Sequence, residues 1–342
     1  MIRILRNLFP LLLALALMLF FLKGVSWSEV WLSIRGVHYG YIAGFVLGIL
    51  LQYAVKAYRW GIILRAKQAN ISFEHLFHYI SLSFFLNTVM PGKLGEPAKG
   101  VLIARQYHFS EGAGLASVVI ERMIDVLMLL VIFLSSFLIF PAKGNPLLRR
   151  MQSLAWLAVP VILGLFVVFF LVNRKGLSES VRRWLEWISR LFPKRIRERT
   201  LHFLVSFVEN LHVDLPTGDL VRLIVSSAIV WIGIIPFFWL LMQGFEWGRV
   251  IGLLDTLPYF ALLMVGAAIP TPGMAGSLDS ASKVGFYQLL GITSAYSGSV
   301  VAFTLLFHTL LLLLALLTGV VAVRRLKIGM NFIKGVKKNE MS

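Results

Sequence analysis

Three ionisable residues lie within one long apolar stretch of this chain: Glu121, Arg122 and Asp125, inside 113–140. Such groups are costly in lipid and mark function by default. Glu121 and Asp125 are four apart and share a helix face, and Arg122 is three before Asp125, within reach of an intrahelical pair. The apolar residues that precede them place the cluster below the membrane surface, so it reads as the wall of a polar cavity rather than as side chains snorkelling from a helix end. A second group, Lys93, Glu96 and Lys99, follows Asn87 in the stretch Asn-Thr-Val-Met-Pro-Gly-Lys-Leu-Gly-Glu. A lysine there can hold a phosphate as a point charge, a freed helix N-terminus adds N–H donors, and Asn87 can donate or accept across the break. Three acids against one intrahelical arginine leave a surplus, which Lys93 and Lys99 offset if the two segments pack together. On that count Lys93, Lys99 and Arg122 cancel Glu96, Glu121 and Asp125, and local charge does not choose between an anionic and a zwitterionic headgroup.

These residues need elements that hold them. Pro91, Gly92 and Gly95 should break a helix, since proline removes a donor and glycine releases the backbone. In lipid a broken helix is tolerated only where protein or a water-filled cavity satisfies the freed groups. A second break runs through 269–279, with Pro272, Gly273 and Gly276 before Asp279, and Lys283 one turn further on. Both breaks read Pro-Gly-x-x-Gly followed by an acid. Paired interruptions in corresponding halves point to a transporter's binding site. Asp279, Lys283 and Asp255 form the weaker second-half counterpart. His308 stands alone in an apolar span and reads as a packed, hydrogen-bonded histidine rather than a proton relay. His75 and His78 lack further convergent ligands and make no metal site. No cofactor is expected.

Composition fixes the class. Of 342 residues, 58% are hydrophobic and 14% charged, against about 25% charged in a soluble domain. The chain reads as an all-α polytopic membrane protein. Its formal charge of +17 does not indicate nucleic acid, because the basic residues sit in loops between apolar spans, which is positive-inside topology and affinity for anionic lipid. Cysteine is absent, which excludes a disulfide framework and a thiolate nucleophile. Nucleotide-binding loops, nucleophile elbows and zinc-protease motifs are also missing from the sequence.

The layout follows from hydropathy. Full spans are expected at 8–22 (extended by Ile4 and Leu5), 39–55, 113–140, 154–172, 223–242 with a kink at Pro236, and 295–323. Spanning takes about 20 residues, and 77–90 and 277–290 are too short, so 77–104 and 250–290 read as re-entrant hairpins entering from opposite faces. The result is one integral domain over 1–342: a first half (1–172), a basic segment (173–219) and a second half (220–342). The halves form an inverted repeat in this reading; counting the hairpin arms as full spans gives eight or more. Within 173–219, residues 181–192 have the spacing of an interfacial amphipathic helix. Lys56, Arg59, Arg65 and Lys67 read as a cytoplasmic flank. Segments placed inside carry 22 Lys and Arg, and those placed outside carry 6, so both termini are expected in the cytoplasm.

Asn87, Pro91-Gly92-Lys93-x-Gly95-Glu96, Lys99 and Glu121-Arg122-x-x-Asp125 together resemble the lysylphosphatidylglycerol synthase transmembrane-region family, flippase-like integral membrane proteins. Pro272-Gly273-x-x-Gly276-x-x-Asp279 is similar to that family's later element, although the family usually has Glu at Asp279 and a more glycine-rich turn than Met274-Ala275. The resemblance covers nearly the whole chain. It implies movement of a lipid between leaflets of the inner membrane; synthesis is not implied, because no polar region exceeds fifty residues. The expected partners are membrane lipids met through their phosphate headgroups, with 173–199 and the C-terminal tail on the anionic leaflet. Two other readings stand beside translocation: an accessory or scaffold protein for a lipid- or glycan-modifying enzyme, or an intramembrane lipid-modifying enzyme using Glu96, Glu121 or Asp125. A homo-oligomer is compatible with each.

Overall fold

A computed structural model describes residues 2–65, 70–90, 93–139, 194–211, 215–269 and 271–328, with scattered positions between 146 and 189. Among them the chain is helical, with no strand. The span expected at 154–172 and the amphipathic helix at 181–192 fall largely outside the described residues, as do Pro91, Gly92 and the C-terminal tail.

The helices are α1 (Ile2–Leu22), α2 (Trp27–Gly36), α3 (Tyr39–Arg65), α4 (Phe73–Val89), α5 (Gly95–Gln106), α6 (Glu111–Ile139), α7 (Lys194–Glu209), α8 (Thr217–Ile232), α9 (Ile235–Met242), α10 (Thr256–Ala268), α11 (Ser277–Gln288) and α12 (Ser297–Arg325). Among the described residues, three are long and apolar enough to cross a membrane: α3, α8 with α9 as one bent span, and α12 with the turn before it. A fourth exists if the end of α1 and α2, bent by 82°, count as one. Helix α2 and its bend are absent from the sequence reading.

Pro236 lies at the start of α9, and α8 ends just before it. Gln52 on α3 donates to the Val230 carbonyl near that break (3.1 Å), as a freed backbone group in an apolar interior requires. The other two breaks separate α4 from α5 and α10 from α11, and the members of each pair fold back on one another. With 12 residues, α5 and α11 rise only about 18 Å each, well short of a hydrocarbon core of about 30 Å.

Small residues let the site helices approach closely, the usual device where lipid offers no hydrophobic drive for helix association. Gly100 on α5 and Gly114 on α6 face each other: a Cβ on Gly114 would lie 2.1 Å from the Gly100 carbonyl oxygen. Gly95 packs on α4, where a Cβ would lie 2.0 Å from the Ser83 oxygen. Helix α6 touches α3, α5, α7, α8 and α10, and α4 packs along α12. The face of α6 that carries Glu121 and Asp125 is thereby buried, while Val126 and Val131 stay exposed.

Candidate functional site

The acids of α6 are matched by cations from three helices. Glu121 is fully buried and Asp125 nearly so. From α3, Arg59 reaches both: Nη2 donates to Glu121 Oε1 at 3.1 Å and Nη1 lies 2.7 Å from Asp125 Oδ1. From α5, Lys99 Nζ lies 2.6 Å from Glu121 and 3.0 Å from Glu96. Arg122 on α6 pairs with Asp125 at 2.7 Å, with longer contacts to Glu121 (3.4 Å) and Glu96 (3.7 Å). Two tryptophans complete the shell. Trp231 Nε1–H donates to Asp125 at 2.7 Å. Trp60 donates to Ser117 and lies under the Lys99 ammonium, 4.7 Å from its centroid.

The intrahelical pair and the packing of α5 on α6 match the spacing argument. Arg59 and Lys56 differ from it. The sequence reading places both in a cytoplasmic flank after 39–55; α3 instead continues to Arg65, with Arg59 0% and Lys56 6% exposed. The apolar sequence resumes at Trp60 and Ile62–Leu64, and that continuation is the signal for a longer helix with an internal basic pair. Removing these two from the flank leaves the inside excess of Lys and Arg standing. It does overturn the charge balance, because Lys56 and Arg59 join the cations around the three acids.

At the first break, Asn87 Oδ1 accepts from the Gly95 N–H (2.8 Å), satisfying a donor at the start of α5. Lys93 adopts a left-handed conformation (φ 55°), an uncommon state for a non-glycine residue. Its ammonium donates to the Ala267 carbonyl at the end of α10, where the helix dipole favours a cation. Lys93 thus bridges the two hairpins and does not offset the α6 acids.

The second break repeats this geometry with different partners. Gly273, Met274 and Gly276 all have positive φ (57°, 61° and 77°). Asp279 accepts from the Gly276 N–H (2.8 Å) and contacts His308 Nδ1 (2.7 Å), while His308 Nε2 faces the Gly273 carbonyl (2.8 Å). Both ring nitrogens of His308 thus face oxygen atoms, and the ring ties α12 to α11 and to the turn before it. Gly276 lies against α1, where a Cβ would meet the Ala14 oxygen at 2.5 Å. Lys283 donates to the Phe21 and Lys23 carbonyls at the end of α1 (2.7 and 3.1 Å). Asp255 accepts from the Gly252 N–H. Pro272 starts the short turn 272–274. Of the second-half candidates, Gly273 borders the cavity described next; Gly276, Asp279 and Lys283 hold the hairpin in place.

A cavity of about 240 Å³ lies between the two breaks. Its lining combines Lys56, Asn87, Lys93, Glu96 and Arg122 with the apolar Phe84, Phe238, Phe260, Leu263 and Phe307. Two larger open hollows, about 730 and 550 Å³, lie at helix ends and contain none of the three paired acids. Among the described residues no cluster of His, Asp and Glu could hold a metal ion.

The fold and this buried charge cluster define a multi-pass α-helical membrane protein with a polar centre. Residues 7–319 match the model of the lysylphosphatidylglycerol synthase TM region, and the chain belongs to that family. It is also similar to a UPF0104 membrane protein of Methanothermobacter thermautotrophicus, 24% identical over 74% of this chain and 78% of that one. A second UPF0104 membrane protein, from Pyrococcus horikoshii, is 24% identical over 75% of this chain and 80% of its own length. A third, from Methanocaldococcus jannaschii, is 34% identical over 27% of this chain and 39% of its own. No solved structure matches the chain.

Proposed function

We propose that this protein moves a phospholipid or other lipid-linked substrate between the leaflets of the inner membrane. The headgroup passes through the central cavity while the acyl chains stay in the bilayer. The observation that carries this reading is the meeting of the two helix breaks at one cavity whose lining combines charged and apolar side chains. At about 240 Å³ it suits a headgroup; drug-sized ligands fill roughly 300–1,000 Å³. The α4–α5 and α10–α11 hairpins enter from opposite faces, and the Lys/Arg excess puts both termini in the cytoplasm.

The acids support translocation over chemistry. Glu96, Glu121 and Asp125 each lie within 3.0 Å of a cationic nitrogen, and a carboxylate so engaged is a poor general base. The test is reconstitution of the full chain into liposomes carrying acyl-labelled phospholipid, with a membrane-impermeant quencher. Protein-dependent exchange between leaflets is expected. Binding without exchange would indicate an accessory protein, and chemically altered lipid an enzyme.

A further inference from the structure

The charge around the cavity is not balanced, and the imbalance identifies the substrate class. Arg59, Lys99 and Arg122 pair with Glu96, Glu121 and Asp125, three cations for three acids. Lys56 and Lys93 remain. Among the described residues, neither has a carboxylate at ion-pair distance. Lys56 is 6% exposed, and its ammonium sits over the Trp231 and Phe84 rings, 5.3 and 5.7 Å from their centroids. Lys93 donates to the Ala267 carbonyl, which uses one of its three donors. Arg122 makes every ion pair through Nη2, and its Nε has no partner. All three border the cavity.

Resting on the translocation reading, we propose that Lys56, Lys93 and Arg122 form a binding site for the phosphate of a headgroup that is net negative and carries no amine. A cation withdrawn from water needs a counter-charge, and among the described residues neither the buried Lys56 nor the partly buried Lys93 has a carboxylate at ion-pair distance. A phosphate supplies it, with acceptor oxygens for two ammonium groups and for the Arg122 guanidinium. An aminoacylated headgroup would bring a further cation to a wall that already repels it. Glu96, the acid on that wall, is already held by Lys99 and Arg122. Lys56 is the specificity-determining residue in this account.

Two measurements on the full-length protein test it. The first reads thermal stabilisation in detergent by short-chain phosphatidylglycerol, phosphatidylcholine and lysyl-phosphatidylglycerol, and by inorganic phosphate. Binding at least about tenfold tighter is expected for phosphatidylglycerol than for the other two lipids. Lys56→Gln and Lys93→Gln should abolish the preference, and Lys56→Arg should keep it. Equal binding of all three lipids, or an unchanged preference in both Gln variants, overturns the proposal. Inorganic phosphate binding as tightly as phosphatidylglycerol would overturn the lipid as its source. The second reads leaflet exchange of the same lipids in liposomes. Exchange of all three at one protein-dependent rate defeats the anion preference and leaves translocation standing. No exchange of any, with the binding preference intact, defeats translocation and leaves the anion site.

Discussion

Arg59 and Arg122 flank the same two acids but do different work. Arg59 is wholly buried and bridges Glu121 and Asp125 with two nitrogens of one planar group. Lysine has a single nitrogen and cannot span both. Arg59→Ala should therefore remove one ion pair from each of two buried carboxylates, leaving them to Lys99 and Arg122, and destabilise the protein by up to about 3–5 kcal/mol, read as loss of monodisperse protein in detergent; a variant as stable as wild type would contradict the bridging role. Arg122 has a half-exposed side chain facing the cavity. Arg122→Lys should stay folded and slow leaflet exchange tenfold or more, about 1.4 kcal/mol. Wild-type exchange in that variant would make Arg122 a counter-ion only. The α6 cluster was legible because its charges interrupt an apolar run. Lys56 and Arg59 were not, since basic residues after an apolar run resemble a positive-inside flank, and only their partners on α6 show why α3 can bury them.

At the scale of elements, the backbones of α5 and α6 pack closely where the two helices cross. Gly114→Val would drive a side chain into the Gly100 backbone and separate Lys99 from Glu121; overpacking of this kind costs about 1–3 kcal/mol or more. Gly218→Ala is the control: nothing lies within 4 Å of its Cβ position, and removing a helical glycine should be neutral or stabilise by up to about 1 kcal/mol. Melting temperatures of the two variants should move apart, and equal melting would refute the crossing. The hairpins themselves can be tested with cysteines at Lys93 and Ala267, residues joined by a hydrogen bond between the breaks. A short bifunctional thiol reagent should link them within one molecule; failure to link in folded protein would separate the hairpins. Both breaks were legible from proline and glycine. A bond from Asn87 across the first break was legible too; Lys93 on Ala267 and His308 on Asp279 were not, because sequence does not pair those partners.

For the molecule as a whole, hydropathy and charge gave the class and an orientation, and family membership follows from the match over 7–319. Sequence spacing could not give the charge state of the cavity, which depends on helices far apart in the chain meeting at one point. Orientation has a direct test in this cysteine-free chain. A cysteine at Glu198, exposed on the basic helix α7, should resist an impermeant thiol reagent in intact cells and react in inverted vesicles. The reverse pattern would invert the topology.

The central claim is that lipid headgroups cross through the cavity between the two breaks. Thr88 lines that cavity and is partly buried at the end of α4, so Thr88→Phe should fill the cavity while leaving the ion pairs of Glu121 and Asp125 with their cations untouched. The measurement is leaflet exchange of acyl-labelled phosphatidylglycerol in liposomes bearing wild type or Thr88→Phe protein, matched for incorporation and melting temperature. The account predicts exchange above the protein-free rate for wild type and a loss of about tenfold or more in the variant. Exchange that continues at the wild-type rate with the cavity filled would contradict it.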